Sequence, residues 1–189
     1  MHEQAPGTAA RQIRTRSLLL RPPSLADAES LLELYADPQT MQYWSSKPVG
    51  GVRDAARLIE RDLACEADGR GRFWSVTLAA SGRVIGKCAL FNLDRDHHRA
   101  EVGYALNRAF WGQGIMTEAL TGVIDYAFEH LGLHRLEADT DPDNAGSLAL
   151  LNKLGFIEEG LFRERWNVYG EWRDSVMFGL LRDDWQAGG

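Results

Sequence analysis

The stretch Glu101-Val-Gly-Tyr-Ala-Leu-Asn-Arg-Ala-Phe-Trp-Gly-Gln-Gly-Ile-Met-Thr-Glu118 decides how the chain is read. A strand-like run ends near Leu106, a loop leads to Gly112-Gln-Gly114, and a helical pattern begins at once. From Gln113 the apolar residues Ile115, Met116, Ala119, Leu120, Val123, Ile124, Ala127, Phe128 and Leu131 recur every three or four positions, which predicts an amphipathic helix. Two glycines at a helix start let the backbone approach a ligand closely, and the first-turn amides have no partner inside the helix. Together with the helix dipole they make a site suited to pyrophosphate. The competing reading is a tight turn and nothing more. The segment lacks the Lys-Ser/Thr ending of a triphosphate loop and the third glycine of a dinucleotide fingerprint.

Outward from this stretch, residues 17–22 carry a leucine run stopped by Pro22-Pro23, a strand. Residues 27–36 and 52–68 show helical stripes. Residues 73–80 and 83–93 predict a hairpin about Ser81-Gly82, and 100–107 a third strand of that run. After the long helix come a strand (133–140), a helix (144–154) closed by Gly155, and a hairpin (156–166 with 172–181) about Tyr169-Gly170. The order predicts a mixed α/β domain with antiparallel runs rather than a regular βαβ alternation. No repeat or linker interrupts it, so residues 17–189 are expected to form a single domain behind a flexible tail, 1–16.

Composition narrows the function classes. The 189 residues carry 27 Asp plus Glu against 21 Lys plus Arg, a net charge of −6. That balance disfavours sequence-independent nucleic-acid binding, which runs on basic patches, and suits an amine-bearing ligand. No apolar run approaches the roughly 18 residues that span a bilayer, and the N-terminal residues lack the apolar core of a secretory signal. Cys65 and Cys88 fall in different predicted elements without ligand spacing, and read as reduced thiols of a cytoplasmic protein. His97-His98 has no accompanying zinc-spaced ligands, so no metal is expected.

A second constellation is Asp141-Pro-Asp-Asn144-Ala-Gly-Ser147-Leu-Ala-Leu-Leu-Asn152-Lys-Leu-Gly155-Phe156. Asn144 stands where a helix N-cap belongs, and capping alone would explain it. Taken together, the two segments resemble the GNAT superfamily of acetyl-CoA-dependent N-acetyltransferases, and more narrowly its RimJ/RimL branch, which acetylates protein N-termini. Leu20-Arg21-Pro22, Tyr43-Trp44, Ala100-Glu101-Val102-Gly103-Tyr104 and Gly170-Glu171-Trp172-Arg173-Asp174 fit that branch, and the likeness runs roughly from Ser17 to Trp185. It departs at Trp111, where the family usually has Gln or Arg, and at Met116, where it has a small residue. It departs again at Leu151, where many members carry an acidic-proton tyrosine.

The resemblance implies the GNAT fold: a mostly antiparallel sheet of about seven strands, splayed at the acetyl-CoA site and flanked by about four helices. It implies that Trp111, Gly112, Gln113, Gly114, Ile115, Met116 and Thr117 hold the pyrophosphate, with the Met116 side chain turned away from it. Backbone groups of Tyr104, Ala105 and Leu106, exposed by a bulge, would pair with the pantetheine arm, helped by Asn144 and Asn152. Glu101 is the expected general base, acting through water on the acceptor amine, against a plain surface carboxylate as the alternative. Ser147 is expected near the sulfur as hydrogen-bond or proton donor. Tyr43, Trp44, Phe91, Trp166, Tyr169 and Trp172 are expected to line the acceptor side, where core filling is the competing reading. The partners implied are acetyl-CoA and an amine, most simply a protein N-terminus. A small-molecule amine acceptor, or a non-catalytic acyl-CoA sensor, are the alternatives, and a homodimer is compatible with each.

Overall fold

The computed structural model describes residues 11–44 and 46–187. A single eight-stranded sheet runs in the order β1-β2-β3-β4-β5-β6-β8-β7. Its strands are β1 (Ile13–Arg14), β2 (Leu18–Arg21), β3 (Arg72–Leu78), β4 (Val84–Asp94), β5 (Arg99–Leu106), β6 (Arg135–Thr140), β7 (Ile157–Val168) and β8 (Glu171–Leu181). The helices are α1 (Ala28–Tyr35), α2 (Pro38–Met41), α3 (Val52–Ala67), α4 (Ile115–Asp125), α5 (Ala145–Lys153) and α6 (Arg182–Ala187). This is the mixed α/β architecture expected, with one strand more than the sequence suggested.

The additional strand lies inside the expected tail. Ile13 pairs with Leu20 and Arg14 with Leu19, and the Trp74 indole donates to the Arg11 carbonyl at 2.8 Å. A glycine on α4 makes room for this edge: a Cβ on Gly122 would lie 2.7 Å from Ile13 Cγ2. The boundary at residue 16 therefore falls too late, since Ile13 sits against the core. Residues 1–10 of that tail lie outside the described residues. The short helices α2 and α6 were not legible in the pattern.

Alternation along β5 sorts the two faces. Ala100, Val102 and Leu106 join the larger core with Leu120 and Ile124 of α4, Leu151 of α5 and Phe178 of β8, and Tyr104 packs against it. Ala105 joins the smaller core with Leu31, Leu34 and Tyr35 of α1, Met41 of α2, and Ala55 and Ile59 of α3. By the same two-residue period Glu101 and Gly103 belong with Ala105 on the α1–α3 face.

All strand pairs are antiparallel except β5 with β6. These two run parallel and pair only as Arg99 with Arg135, Ala100 with Leu136 and Glu101 with Glu137. Past Glu101 they part: β5 continues to Leu106 against β4, and β6 continues to Thr140 against β8. The parting exposes the β5 backbone without the bulge that the resemblance implied. Register from Glu101 to Leu106 against β4 is unbroken, and the shift falls on β4 between Phe91 and Asp94. Helix α4 follows β5, and α5 follows β6, so two helix starts converge on the gap.

Candidate active site

The gap opens into a cavity of about 580 Å³. One wall is β5 at Tyr104, Ala105 and Leu106. A second is the loop and first turn of α4, from Trp111 and Gly112 through Gly114, Ile115, Met116 and Thr117. A third is α5, with Asn144, Ser147 and Lys153, and Tyr43 and Trp44 after α2 close the remaining side. Thirteen of the sequence-selected residues thus meet in one cavity.

The α4 start has the backbone its sequence demands. Gly112 and Gly114 hold φ of 72° and 76°, the left-handed region, and an added Cβ at either would meet nothing within 4 Å. Gly114 is the N-cap and carries no side chain to satisfy the first-turn amides, so those N–H groups stay available to a ligand. The residues present therefore fit an anionic group. The Met116 side chain turns into the core, its Sδ 3.7 Å from Cys88 Sγ. The Trp111 indole donates to the Leu106 carbonyl at 2.8 Å, pinning the loop to the end of β5. That bond already engages the Leu106 carbonyl that was expected to serve a ligand. Gln113 points back, donating to the Ala109 carbonyl at 3.0 Å, and Asn152 is exposed on the outer face of α5, so neither reaches the cavity.

Asn144 caps α5: its Oδ1 accepts from the Ser147 amide at 3.1 Å. Capping thus occupies the side-chain oxygen, and its amide nitrogen is the group left to face a ligand carbonyl. Ser147 Oγ lies 2.6 Å from the Tyr104 hydroxyl. Burial pushes the Tyr104 phenol up to about 12, with the Ser147 bond acting the other way.

Glu101 does not line the cavity. It sits in the last β5–β6 pair, opposite Glu137, on the α1–α3 face, where Asn92 Nδ2 donates to its Oε1 at 2.8 Å. Asn92 belongs to the irregular stretch of β4 and has φ of 49°. Phe91 packs over Gly103, where an added Cβ would lie 2.9 Å from Phe91 Cε1, and it too stays out of the cavity.

The aromatics of the last hairpin are also outside. Trp166 Nε1 donates to Asp139 Oδ2 at 3.1 Å, beside the Arg165–Asp139 ion pair at 2.9 Å. Tyr169 receives Lys47 Nζ over its ring at 5.2 Å, which brings the hairpin tip to the loop after α2. Trp172 is 60% exposed. Of the six residues chosen for the acceptor side, only Tyr43 and Trp44 reach the cavity. The sequence reading passed over Phe110, Asp143 and Lys153, which do line it. Lys153 supplies a cation from the last turn of α5, and its signal was its place in the Asn152-Lys153 pair of the second constellation.

A family model for the acetyltransferase (GNAT) domain matches residues 17–157. The chain is 36% identical over 171 residues to "Uncharacterized N-acetyltransferase p20" of Bacillus licheniformis, covering 90% of this chain and 96% of that one. It is 36% identical over 106 residues to the [Ribosomal protein uS5]-alanine N-acetyltransferase of Escherichia coli, covering 56% of this chain and 55% of that one. It is 23% identical over 171 residues to the spermidine N(1)-acetyltransferase of the same organism, covering 90% and 89%. Among solved structures, Mycobacterium smegmatis RimJ in complex with CoA-disulfide superposes with a TM-score of 0.81 at 26% identity, covering 92% of this chain and 87% of that one. The strands that part at Glu101, the glycine-started helix and these likenesses agree: the chain belongs to the GNAT acetyltransferase family and is an N-acetyltransferase.

Proposed function

We propose that the protein transfers an acetyl group from acetyl-CoA to the α-amine of a peptide or protein N-terminus. The observation that carries this reading is the single cavity in which the open first turn of α4, Ser147 and the Tyr43–Trp44 loop meet. The relative that modifies alanine of ribosomal protein uS5 favours a protein terminus. The relative that acts on spermidine favours a small polyamine as the second reading.

Acetyl-CoA supplies an activated acetyl thioester. The first-turn amides of α4 would bind its pyrophosphate and Lys153 would add a positive charge nearby. The β5 backbone at Tyr104 and Ala105, with the Asn144 amide, would hold the pantetheine arm. Holding both reactants lowers the barrier by making the encounter intramolecular, worth up to about 7–11 kcal/mol when alignment is good. Glu101, steadied by Asn92, would take the proton of the acceptor ammonium through water. Ser147 would lie beside the sulfur and hydrogen-bond to it as the thiolate leaves. Base and donor then act from opposite faces of the sheet, which meet at the gap between β5 and β6.

A thiol-release assay with acetyl-CoA against N-terminal peptides, spermidine and free amino acids tests this. Turnover fastest with peptides is the expected result. Preference for spermidine selects the second reading, and acetyl-CoA binding without turnover on any amine would leave a sensor.

A further inference from the structure

Tyr104 enters the scheme above only through its backbone, yet its side chain makes one specific bond. Its hydroxyl reaches Ser147 Oγ at 2.6 Å from the opposite wall of the cavity, across 43 residues of sequence. Among the described residues neither hydroxyl has another hydrogen-bond partner.

Hydroxyl arithmetic decides what this bond does. Each group carries one proton, so the shared bond uses one and leaves one. A phenol is the stronger donor of the two, since its pKa near 10 lies well below that of an alcohol. The bond therefore runs from Tyr104 O–H to Ser147 Oγ, and the remaining proton is that of Ser147. A serine whose oxygen already accepts a hydrogen bond is polarised into a better donor, and its own proton is left for a partner in the cavity that Ser147 lines. Burial keeps the phenol protonated through the neutral range, so Tyr104 holds this role without yielding its own proton.

We propose that Tyr104 is a positioning residue for acetyl transfer: its buried hydroxyl donates to Ser147 Oγ and aims the Ser147 proton at the departing sulfur. The inference rests on the placement of Ser147 beside the sulfur proposed above. As the bond from amine nitrogen to acetyl carbon forms, the carbon–sulfur bond breaks and its electron pair goes to sulfur. The aimed hydroxyl stabilises that charge by a hydrogen bond. The nucleophile is the neutral amine, its ammonium proton already passed through water to Glu101, which returns it to solvent. The second proton, shed by nitrogen as the amide forms, goes to water, and the thiolate, of ordinary pKa about 8.5, takes a proton from water after release. Tyr104 and Ser147 both end the cycle as they began it.

Tyr104→Phe keeps the ring and removes only the hydroxyl. It is compared with Ser147→Ala and the double variant, using acetyl-CoA and whichever amine turns over fastest in the thiol-release screen. Tyr104→Phe should lower kcat by about 10- to 100-fold, the size of one hydrogen bond to a developing charge. Acetyl-CoA affinity by calorimetry and the melting temperature should stay close to those of the parent. In the Ser147→Ala background the same substitution should cost nothing further, because its only function is gone. A role in packing alone would lower both backgrounds equally, and that result overturns the proposal. An unchanged kcat for Tyr104→Phe with a reduced kcat for Ser147→Ala also overturns it while leaving Ser147 in place. An unchanged kcat for Ser147→Ala removes the Ser147 assignment itself.

Discussion

At the residue scale, the cavity is built from small local decisions. Gly114 takes a positive φ with nothing where a Cβ would go, so a substitution there meets two penalties: backbone strain of about 1–3 kcal/mol, and a side chain facing the open first turn. Gly114→Glu adds a negative charge at the position proposed for pyrophosphate, and acetyl-CoA affinity should fall at least 100-fold, roughly 3 kcal/mol. Unchanged affinity in calorimetry would remove the pyrophosphate from this loop. The Glu101 assignment is tested separately. Glu101→Gln keeps the shape and can still bond Asn92, so it should leave acetyl-CoA affinity intact while lowering turnover at neutral pH by about 100- to 10,000-fold, the usual range for a lost general base. A rate–pH profile identical to that of the parent would return Glu101 to being a surface carboxylate. The sequence showed which residue types belong together here, but not which way they point. Met116 and Trp111 were legible as departures from a pattern, while the direction of Gln113 and Asn152 depended on local hydrogen bonding and helix phase that a motif does not encode.

At the element scale, legibility followed periodicity. The long helix α4, the α3 stripe and the two hairpins announce themselves through apolar spacing and turn residues. The four residues of α2 are too few to show a period, although Asp37 caps them and Pro38 opens them. Strand β1 is a two-residue edge whose evidence is long-range, the fit of Ile13 against Gly122. The last hairpin shows the other limit. Its aromatics are conspicuous in the sequence, but β7 is the outermost strand, and Leu161, Phe162 and Trp166 are exposed on it rather than turned into the cavity. Asn144 shows one residue serving both levels. Its cap organises the first turn of α5, so Asn144→Ala should cost about 1 kcal/mol of stability. The same change removes the amide proposed for the pantetheine arm, so the KM for acetyl-CoA should rise as well. Asn144→Ser, which caps nearly as well, should recover the stability and not the KM. Recovery of both would make Asn144 a cap and nothing else.

At the scale of the whole molecule, the carboxylates set the net charge together, but only some of them bear on fold stability. The acidic surplus cannot help a polyanionic donor to bind, so under the proposed function the attraction would be local, from the α4 amides and Lys153 of the cavity lining. Other carboxylates tie the N-terminal segment to the sheet. Asp27 is buried and accepts from Arg21 at 2.6 and 2.9 Å, from Ser75 Oγ at 2.7 Å and from the Ser24 amide at 2.9 Å. Burial alone would raise its pKa, but these bonds outweigh it and hold the carboxyl below its ordinary value. Glu118 on α4 behaves alike: burial opposes ionisation, and the bonds from Thr15 and Ser17 more than compensate. A carboxylate with a lowered folded-state pKa stabilises the fold fully above its unfolded value, about 4 to 4.5. That stability is lost as pH falls through the lower folded value. The melting temperature should therefore be flat from neutral pH to about 5 and drop steeply below about 4. Asp27→Asn, which cannot ionise, should melt lower than the parent at pH 7 and lose less on acidification, so the two curves converge as pH falls. Parallel curves would mean that Asp27 does not carry the acid sensitivity, and the same comparison with Glu118→Gln would show whether the α4 tie carries it instead.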